Sequence, residues 1–201
     1  MMTDNRHEIM EQIRELNQGE SQAVADIEGV FDERFEQVVD MVLSAPLVLT
    51  TAVGDSGSIA SRLAHILALC GAPALYLNAD QALHGSVGAV KEGDVIIAIS
   101  KGGVTDEVNT FVKLALEAGA KIVAVTQSPE SPLANMATMV QALPHCDADP
   151  EGYIGMGTSL AQAAWGDALA LAVHLRRGEN AKDIASRHPA GLVGKLANSA
   201  K

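Results

Sequence analysis

Ser100-Lys-Gly-Gly103, with Thr105 and Glu107 just beyond, is the densest group of residues in this chain that can do chemistry. Paired glycines let a tight turn present backbone N–H groups, and the start of a helix adds partial positive charge. The hydroxyls of Ser100 and Thr105 and the ammonium of Lys101 can add donors, so the set suits an anion. An ordinary strand-to-helix turn with Thr105 as its cap accounts for the same residues, and the loop alone does not separate the two readings. Glu107 is either a base for proton transfer or a first-turn carboxylate stabilised by the helix dipole. A second glycine turn, Gly54-Asp-Ser-Gly57, carries Ser56, and Asp55 there is a helix cap or a substrate contact. His188 before Pro189 reads, taken alone, as a helix stop.

The element ahead of the first group is a run of β-branched and small residues, Val95-Ile-Ile-Ala-Ile99, too apolar to have a wet face. It predicts a central strand buried on both sides. Val108, Phe111, Val112, Ala115 and Leu116 give residues 104–118 the apolar face of a helix. The same strand–turn–helix order is predicted for 47–53 and 58–70, around the second glycine turn. Further strands are expected at 74–78, 121–126 and 138–143, a helical turn and loop holding His84 at 79–88, and a short helix at 131–136. Residues 144–157, rich in Pro, Gly and Asp, form an ordered loop. A long Ala-rich helix covers 158–177, with Trp165 as a packing residue, and a short helix covers 181–187. Residues 4–44 form one or two helices, with the break expected at Gly19-Glu20-Ser21 and Ser21 as N-cap. The apolar surface of 21–43 exceeds what one sheet face needs, so part of it is expected to meet another subunit. Strands alternating with helices imply an α/β fold with a doubly wound parallel sheet, whose ligands sit at the carboxyl ends of the strands where strand order reverses. Both glycine turns belong to that edge.

The chain has 201 residues, enough for one α/β domain with a sizeable core. Aromatic residues are only 3% against 48% hydrophobic, so Ala, Val, Leu and Ile must build that core. A net charge of −11 without a Lys/Arg cluster argues against nucleic acid and against anionic membrane as partners. No apolar run reaches a membrane span, and the charged N-terminus has no signal-peptide core. Cys70 and Cys146 fit no metal spacing, and a cytoplasmic protein with free thiols is the expectation. His145-Cys146-Asp147 is one compact tripeptide and cannot supply a tetrahedral metal site. His65 and His174 are expected to pack or to be solvated on their helices.

Five motifs occur in the order and rough spacing of the sugar isomerase (SIS) domain. They are Val53-Gly-Asp-Ser-Gly57, Leu83-His-Gly-Ser-Val-Gly88, Ile99-Ser-Lys-Gly-Gly-Val-Thr-Asp-Glu107, Gly166-Asp-Ala-Leu169 and His188-Pro-Ala-Gly191. The resemblance covers roughly residues 20–196 and is nearest to the arabinose 5-phosphate isomerase branch, without the regulatory modules that often follow the domain there. It implies a three-layer αβα sandwich with a five-stranded parallel sheet, a homotetramer with sites at subunit contacts, and reversible aldose–ketose isomerisation of a sugar phosphate. That chemistry needs a base to move a proton between C1 and C2, polar groups to stabilise the enediolate, and a group for ring opening. It needs no obligatory metal or other cofactor.

Carried over residue by residue, the resemblance puts Ser56, Ser100 and Thr105 at the phosphate, with Lys101 beside them. Glu107 is similar to a catalytic Glu, and His188 to a catalytic His delivered from a neighbouring subunit. His84 matches a second His near the sugar, and Asp147 falls about where the branch has another catalytic Glu. Asp55 stands where the branch has Lys. Gly102 stands where it has a phosphate-binding Ser. Pro150 to Thr158 replaces a Pro-Leu-Gly-Leu-Ala-Pro-Thr stretch, with Thr158 among the expected substrate contacts. The resemblance therefore names no particular sugar. Two functions remain, a phosphosugar isomerase and a non-catalytic phosphosugar-binding module that senses or scaffolds. Residues 1–44 are expected to serve oligomerisation and 45–201 to form the SIS domain.

Overall fold

Residues 95–99 form a strand in which every side chain is buried, and it lies at the centre of the sheet. The computed structural model describes residues 5–191 of the chain. Five parallel strands, β1 (Val48–Thr51), β2 (Ala74–Tyr76), β3 (Val95–Ile99), β4 (Lys121–Thr126) and β5 (Met139–Ala142), take the order β2-β1-β3-β4-β5. Registers such as Val48 with Val95 and Val95 with Lys121 keep the strands' carboxyl ends along one edge.

The α/β sandwich has two apolar interiors, one on each sheet face. On the first face, Val95, Ile97 and Ile99 meet Leu63, Leu67, Val38, Val42 and Trp165. These come from α2 (Glu33–Ser44), α3 (Gly54–Leu69) and α7 (Met156–Arg177), with α1 (Arg6–Asp26) packed outside them. On the second face, Ile96 and Ala98 meet Phe111, Val112 and Leu133 from α5 (Asp106–Glu117) and α6 (Pro132–Met136), beside α4 (Ala79–Ala82). The alternation of β3 side chains between the two clusters is the period-2 geometry of a strand covered on both sides. Trp165 is fully buried, and its Nε1 donates to Gln141 Oε1 at 3.0 Å.

Three expectations are corrected. The N-terminal helix does not break at Gly19; α1 runs through it to Asp26. A Cβ at Gly19 would lie 2.6 Å from the Ala148 methyl, so this glycine permits close packing and is not a breaker. Ser21 caps nothing, since its Oγ donates to Asn17 O one turn back. The chain turns instead at Ile27–Val30, and Asp32 caps α2 by accepting from Arg34 and Phe35 N–H. Next, Gly54–Gly57 is not a turn ahead of a helix but the first turn of α3 itself. Gly57 lets the Tyr76 hydroxyl approach, because a Cβ there would sit 2.9 Å from that oxygen. Finally, Phe35, Val38, Val39 and Val42 belong to the chain's own core, so most of the apolar surface of 21–43 is not surplus. Within 21–43, Val24 and Phe31 do remain exposed, and further exposed apolar residues lie on α1 (Ile9, Met10 and Ile13) and on α7 (Leu160, Leu171 and Leu175).

The last described element is α8 (Ala181–Arg187), which follows Gly178 in the left-handed conformation and is capped by Asn180 and Asp183. No described helix is long and apolar enough to cross a membrane.

Candidate active site

Strand order reverses between β1 and β3, because α3 leaves β1 toward one face and α5 leaves β3 toward the other. A crevice must open there at the carboxyl ends, where parallel sheets of this kind take ligands. The segments at its two sides are the start of α3, with Asp55 and Ser56, and the Ser100–Gly103 turn leading into α5.

The turn is held from behind. Ser100 N–H donates to Val125 O, and the Ser100 Oγ accepts from Gly103 N–H at 3.1 Å. Gly103 has φ +64°, and a Cβ on it would overlap the Ser131 hydroxyl. Its carbonyl accepts from Leu133 N–H and from Asn109 Nδ2. Thr105 occupies the N-cap position of α5 without making a side-chain cap; its Oγ1 lies 3.1 Å from Ser100 Oγ. The first-turn N–H groups of α5 have no intrahelical acceptor, so two hydroxyls and a helix N-terminus sit together at the crevice. Thr51 Oγ1, at the end of β1, and Asn109 Oδ1 are buried without a protein partner among the described residues, which leaves them able to take a bond from a ligand or water. Glu107 is exposed in the first turn of α5. His84, also outside the core, follows α4, which packs on α5.

Across the crevice, Ser56 Oγ donates to the buried Gln162 Oε1 at 3.4 Å, and Asp55 accepts from Ser159 Oγ. Both contacts tie the first turn of α3 to α7. Asp55 therefore does not cap its own helix.

Lys101 and Thr158 point elsewhere than expected. Lys101 Nζ lies 2.6 Å from Asp149 Oδ2 and donates to Gly152 O at 2.8 Å. Thr158 is buried, and it gives both its N–H and its hydroxyl to the same Asp149. Burial pushes the Asp149 carboxyl up, but the bonds from Lys101 and Thr158 outweigh it and hold the group below the usual carboxylate range.

Two expected site residues are not brought to the crevice within one chain. Asp147 is exposed, pairs with His145 at 3.2 Å, and lines a cleft of ≈ 460 Å³ with Ile9, Ile13 and Leu16 of α1. That cleft lies on the α7 side of the sheet, opposite the α5 that carries Glu107. His188 follows α8, with its Nδ1 3.0 Å from Ala190 O. The neighbouring Arg187 reaches Leu69 O, at the far end of α3 from Ser56. Sixteen helical residues separate the ends of α3, about 24 Å, so His188 lies at the opposite edge of the sheet from its own chain's Ser100.

Sequence reasoning missed Asp149, Gln127, Ser159 and Gln162. Nothing distinguishes them locally, since each acts through a partner far away in the chain. Among the described residues, no group of three His, Cys, Asp or Glu side chains could hold a metal ion.

Comparison with known proteins agrees with this fold. The family model for the SIS domain matches residues 42–172. The arabinose 5-phosphate isomerase KdsD of Pseudomonas aeruginosa is 30% identical over 178 residues, covering 88% of this chain and 55% of that protein. The arabinose 5-phosphate isomerase GutQ of Salmonella typhi is 33% identical over 148 residues, covering 73% of this chain and 46% of that protein. The chain thus spans about half the length of these curated relatives. Among solved structures, an E. coli CFT073 protein in complex with arabinose 5-phosphate superposes with a TM-score of 0.82 at 28% identity, covering 92% of this chain and 100% of that one. The Vibrio vulnificus NanR protein complexed with ManNAc-6P shares the fold, with a TM-score of 0.76 at 20% identity over 90% of this chain and 70% of that one.

Proposed function

The chain belongs to the SIS domain family, and from that premise we propose that it is a phosphosugar isomerase interconverting an aldose phosphate and a ketose phosphate through an enediol. The observation that carries this reading is the convergence of the Ser100 and Thr105 hydroxyls on the open N-terminus of α5, with Glu107 less than one turn further on. A phosphate dianion is matched there by neutral donors and a helix dipole, with Ser56 on the facing side. A sugar anchored by that phosphate extends over Glu107. In the aldose-to-ketose direction Glu107 takes the proton from C2, and the C2 electrons form the C1–C2 double bond while O1 gains a proton. Return of a proton to C1 and loss of the O2 proton complete the ketose. His188 of an adjacent subunit serves the ring oxygen during ring opening, since an imidazole can donate or accept near neutral pH. His84, beside α5, contacts the sugar. The relatives named as arabinose 5-phosphate isomerases support this chemistry, while Asp55 leaves the sugar itself open. The reaction belongs in the cytoplasm, where sugar phosphates are held.

A panel of tetrose to heptose phosphates, assayed for aldose–ketose conversion, tests the reading. We expect turnover of at least one member, and Glu107→Gln should keep binding while lowering turnover roughly 10²–10⁴-fold, the usual contribution of a general base. Full activity in Glu107→Gln would move the base elsewhere. Binding of a phosphosugar without conversion of any would favour the second reading, a non-catalytic phosphosugar-binding module. The carboxylate of Asp55, held by Ser159 where the branch has a cation, is the observation on that side.

A further inference from the structure

We propose that Asp149 is a positioning residue for the Ser100–Gly103 turn, acting through a closed ring of hydrogen bonds that also keeps the Lys101 ammonium away from the bound phosphate. The ring has four members. Lys101 Nζ donates to Asp149 Oδ2, and the Thr158 hydroxyl donates to the same carboxylate. Gln127 Nε2 donates to Thr158 Oγ1 at 3.2 Å, and Gln127 N–H returns to Lys101 O at 2.9 Å. Every donor meets an acceptor around the circuit, because the Thr158 oxygen accepts from Gln127 while giving its proton to Asp149. Thr126 Oγ1 adds a second bond to Lys101 O, and Gln127 Nε2 a second to Pro144 O. The ring therefore joins the ends of β3 and β4, the loop after β5 and the first turn of α7.

Two further observations fit a positioning role. The Asp149 side chain is fully buried, whereas that of Lys101 is 30% exposed. Moving the ammonium to a phosphate would strand a buried carboxylate, which is the costlier side of such a pair to leave open. Between Asp149 and Gly152 lies Glu151 at φ 53°, the one non-glycine residue with positive φ among the described residues. Lys101 bonds to both ends of this strained turn, at Asp149 and at Gly152 O, and strained backbone persists where its surroundings over-determine it.

The proposal rests on the reading of Ser100–Gly103 as a phosphate site, and the test separates the two. Inorganic phosphate is titrated into the full chain while the backbone amide resonances of residues 102–106 are followed by NMR. Lys101→Met, Asp149→Asn and the double variant are compared with the wild type. Each single change should weaken phosphate binding on the order of tenfold, the scale of coupling within one network, and the double change should weaken it no further. A Lys101 that bound phosphate directly would give a different pattern: Asp149→Asn would tighten binding by freeing the ammonium, and that result would overturn the proposal. Amide exchange without ligand is the second readout. Exchange at 100–103 and at 149–155 should rise together in Lys101→Met, in Asp149→Asn and, should the latter fail to fold, in Thr158→Val. If phosphate shifts no resonance of the wild-type turn, the functional reading loses its anchor. The ring is judged independently, because exchange at 100–103 that ignores loss of Lys101, Asp149 or Thr158 would overturn it.

Discussion

Thr105 stands where a helix usually keeps its cap, yet its hydroxyl meets Ser100 and leaves the backbone of α5 open. Removing it should spare the fold and affect only what binds there. Charge-assisted bonds to a dianion are worth roughly 1.5–3 kcal/mol each, so Thr105→Ala should weaken phosphosugar binding by about tenfold or more. Calorimetry with the unphosphorylated sugar should show little change, and equal loss for both ligands would indicate a folding defect instead. Gly103 makes the opposite kind of prediction. Its φ of +64° and the Ser131 hydroxyl behind it leave no room for a Cβ. Gly103→Ala should therefore cost about 1–3 kcal/mol of stability, the usual scale for a side chain held in a sparsely populated backbone region. A thermal melt that does not move would mean that the turn relaxes its backbone as well as its contact with Ser131.

The short helix α8 ends just before His188 and is tied back toward α7 in part by one carboxylate. Glu179 accepts from Arg187 at 2.5 and 2.7 Å and from Arg177 at 2.7 Å, and Arg187 also reaches Leu69 O. Arg187 first, and then Arg177, pull the Glu179 carboxyl from 4.5 down to about 2. A folded-state value below the unfolded one makes this attachment fully present above about pH 4.5 and lost as pH falls toward about 2. The Arg187 side-chain N–H resonances should report that loss on acid titration. Glu179→Gln should reproduce it at neutral pH, with faster amide exchange across 181–187 and little effect on the sheet. Unchanged exchange in that variant would show that α8 is held by something else.

At the scale of the molecule, the sheet keeps the two halves of the proposed chemistry apart. Ser100, Thr105 and Glu107 lie at its carboxyl edge, while Arg187 holds the start of the His188 segment at the other. A site that uses both must draw them from different chains, which motivates a homotetramer of dihedral symmetry. The exposed Ile9, Met10, Ile13 and Val24 of α1, Phe31 after it, and Leu160, Leu171 and Leu175 of α7 are surfaces available for it. Light scattering at micromolar concentration should find an assembly, and a monodisperse monomer would rule the shared site out. Mixing Glu107→Gln chains with His188→Ala chains should restore part of the activity, because some mixed sites carry both native residues. Mixed tetramers that form and stay inactive would defeat the shared-site model even if the assembly is real.

The strands at 95–99 and 121–126 were legible in the sequence because unbroken apolar runs bounded by turn residues leave few alternatives. So was the parallel alternation, and with it the carboxyl edge to which the Gly54–Gly57 and Ser100–Gly103 segments belong. Gly103 was legible as a turn glycine, since a positive φ is a local demand that glycine meets at little cost. Gly19 and Gly57 were misread for the same reason: nothing local says whether a glycine frees the backbone or makes room for Ala148 or Tyr76. Asp149 and Lys101 are 48 residues apart, and Ser56 and Gln162 are 106 apart. Their pairing is settled by how the sheet and α7 pack, not by any spacing along the chain. A donor or acceptor can be named from its residue type, but its direction is fixed only when the buried carboxylate it must satisfy is in place.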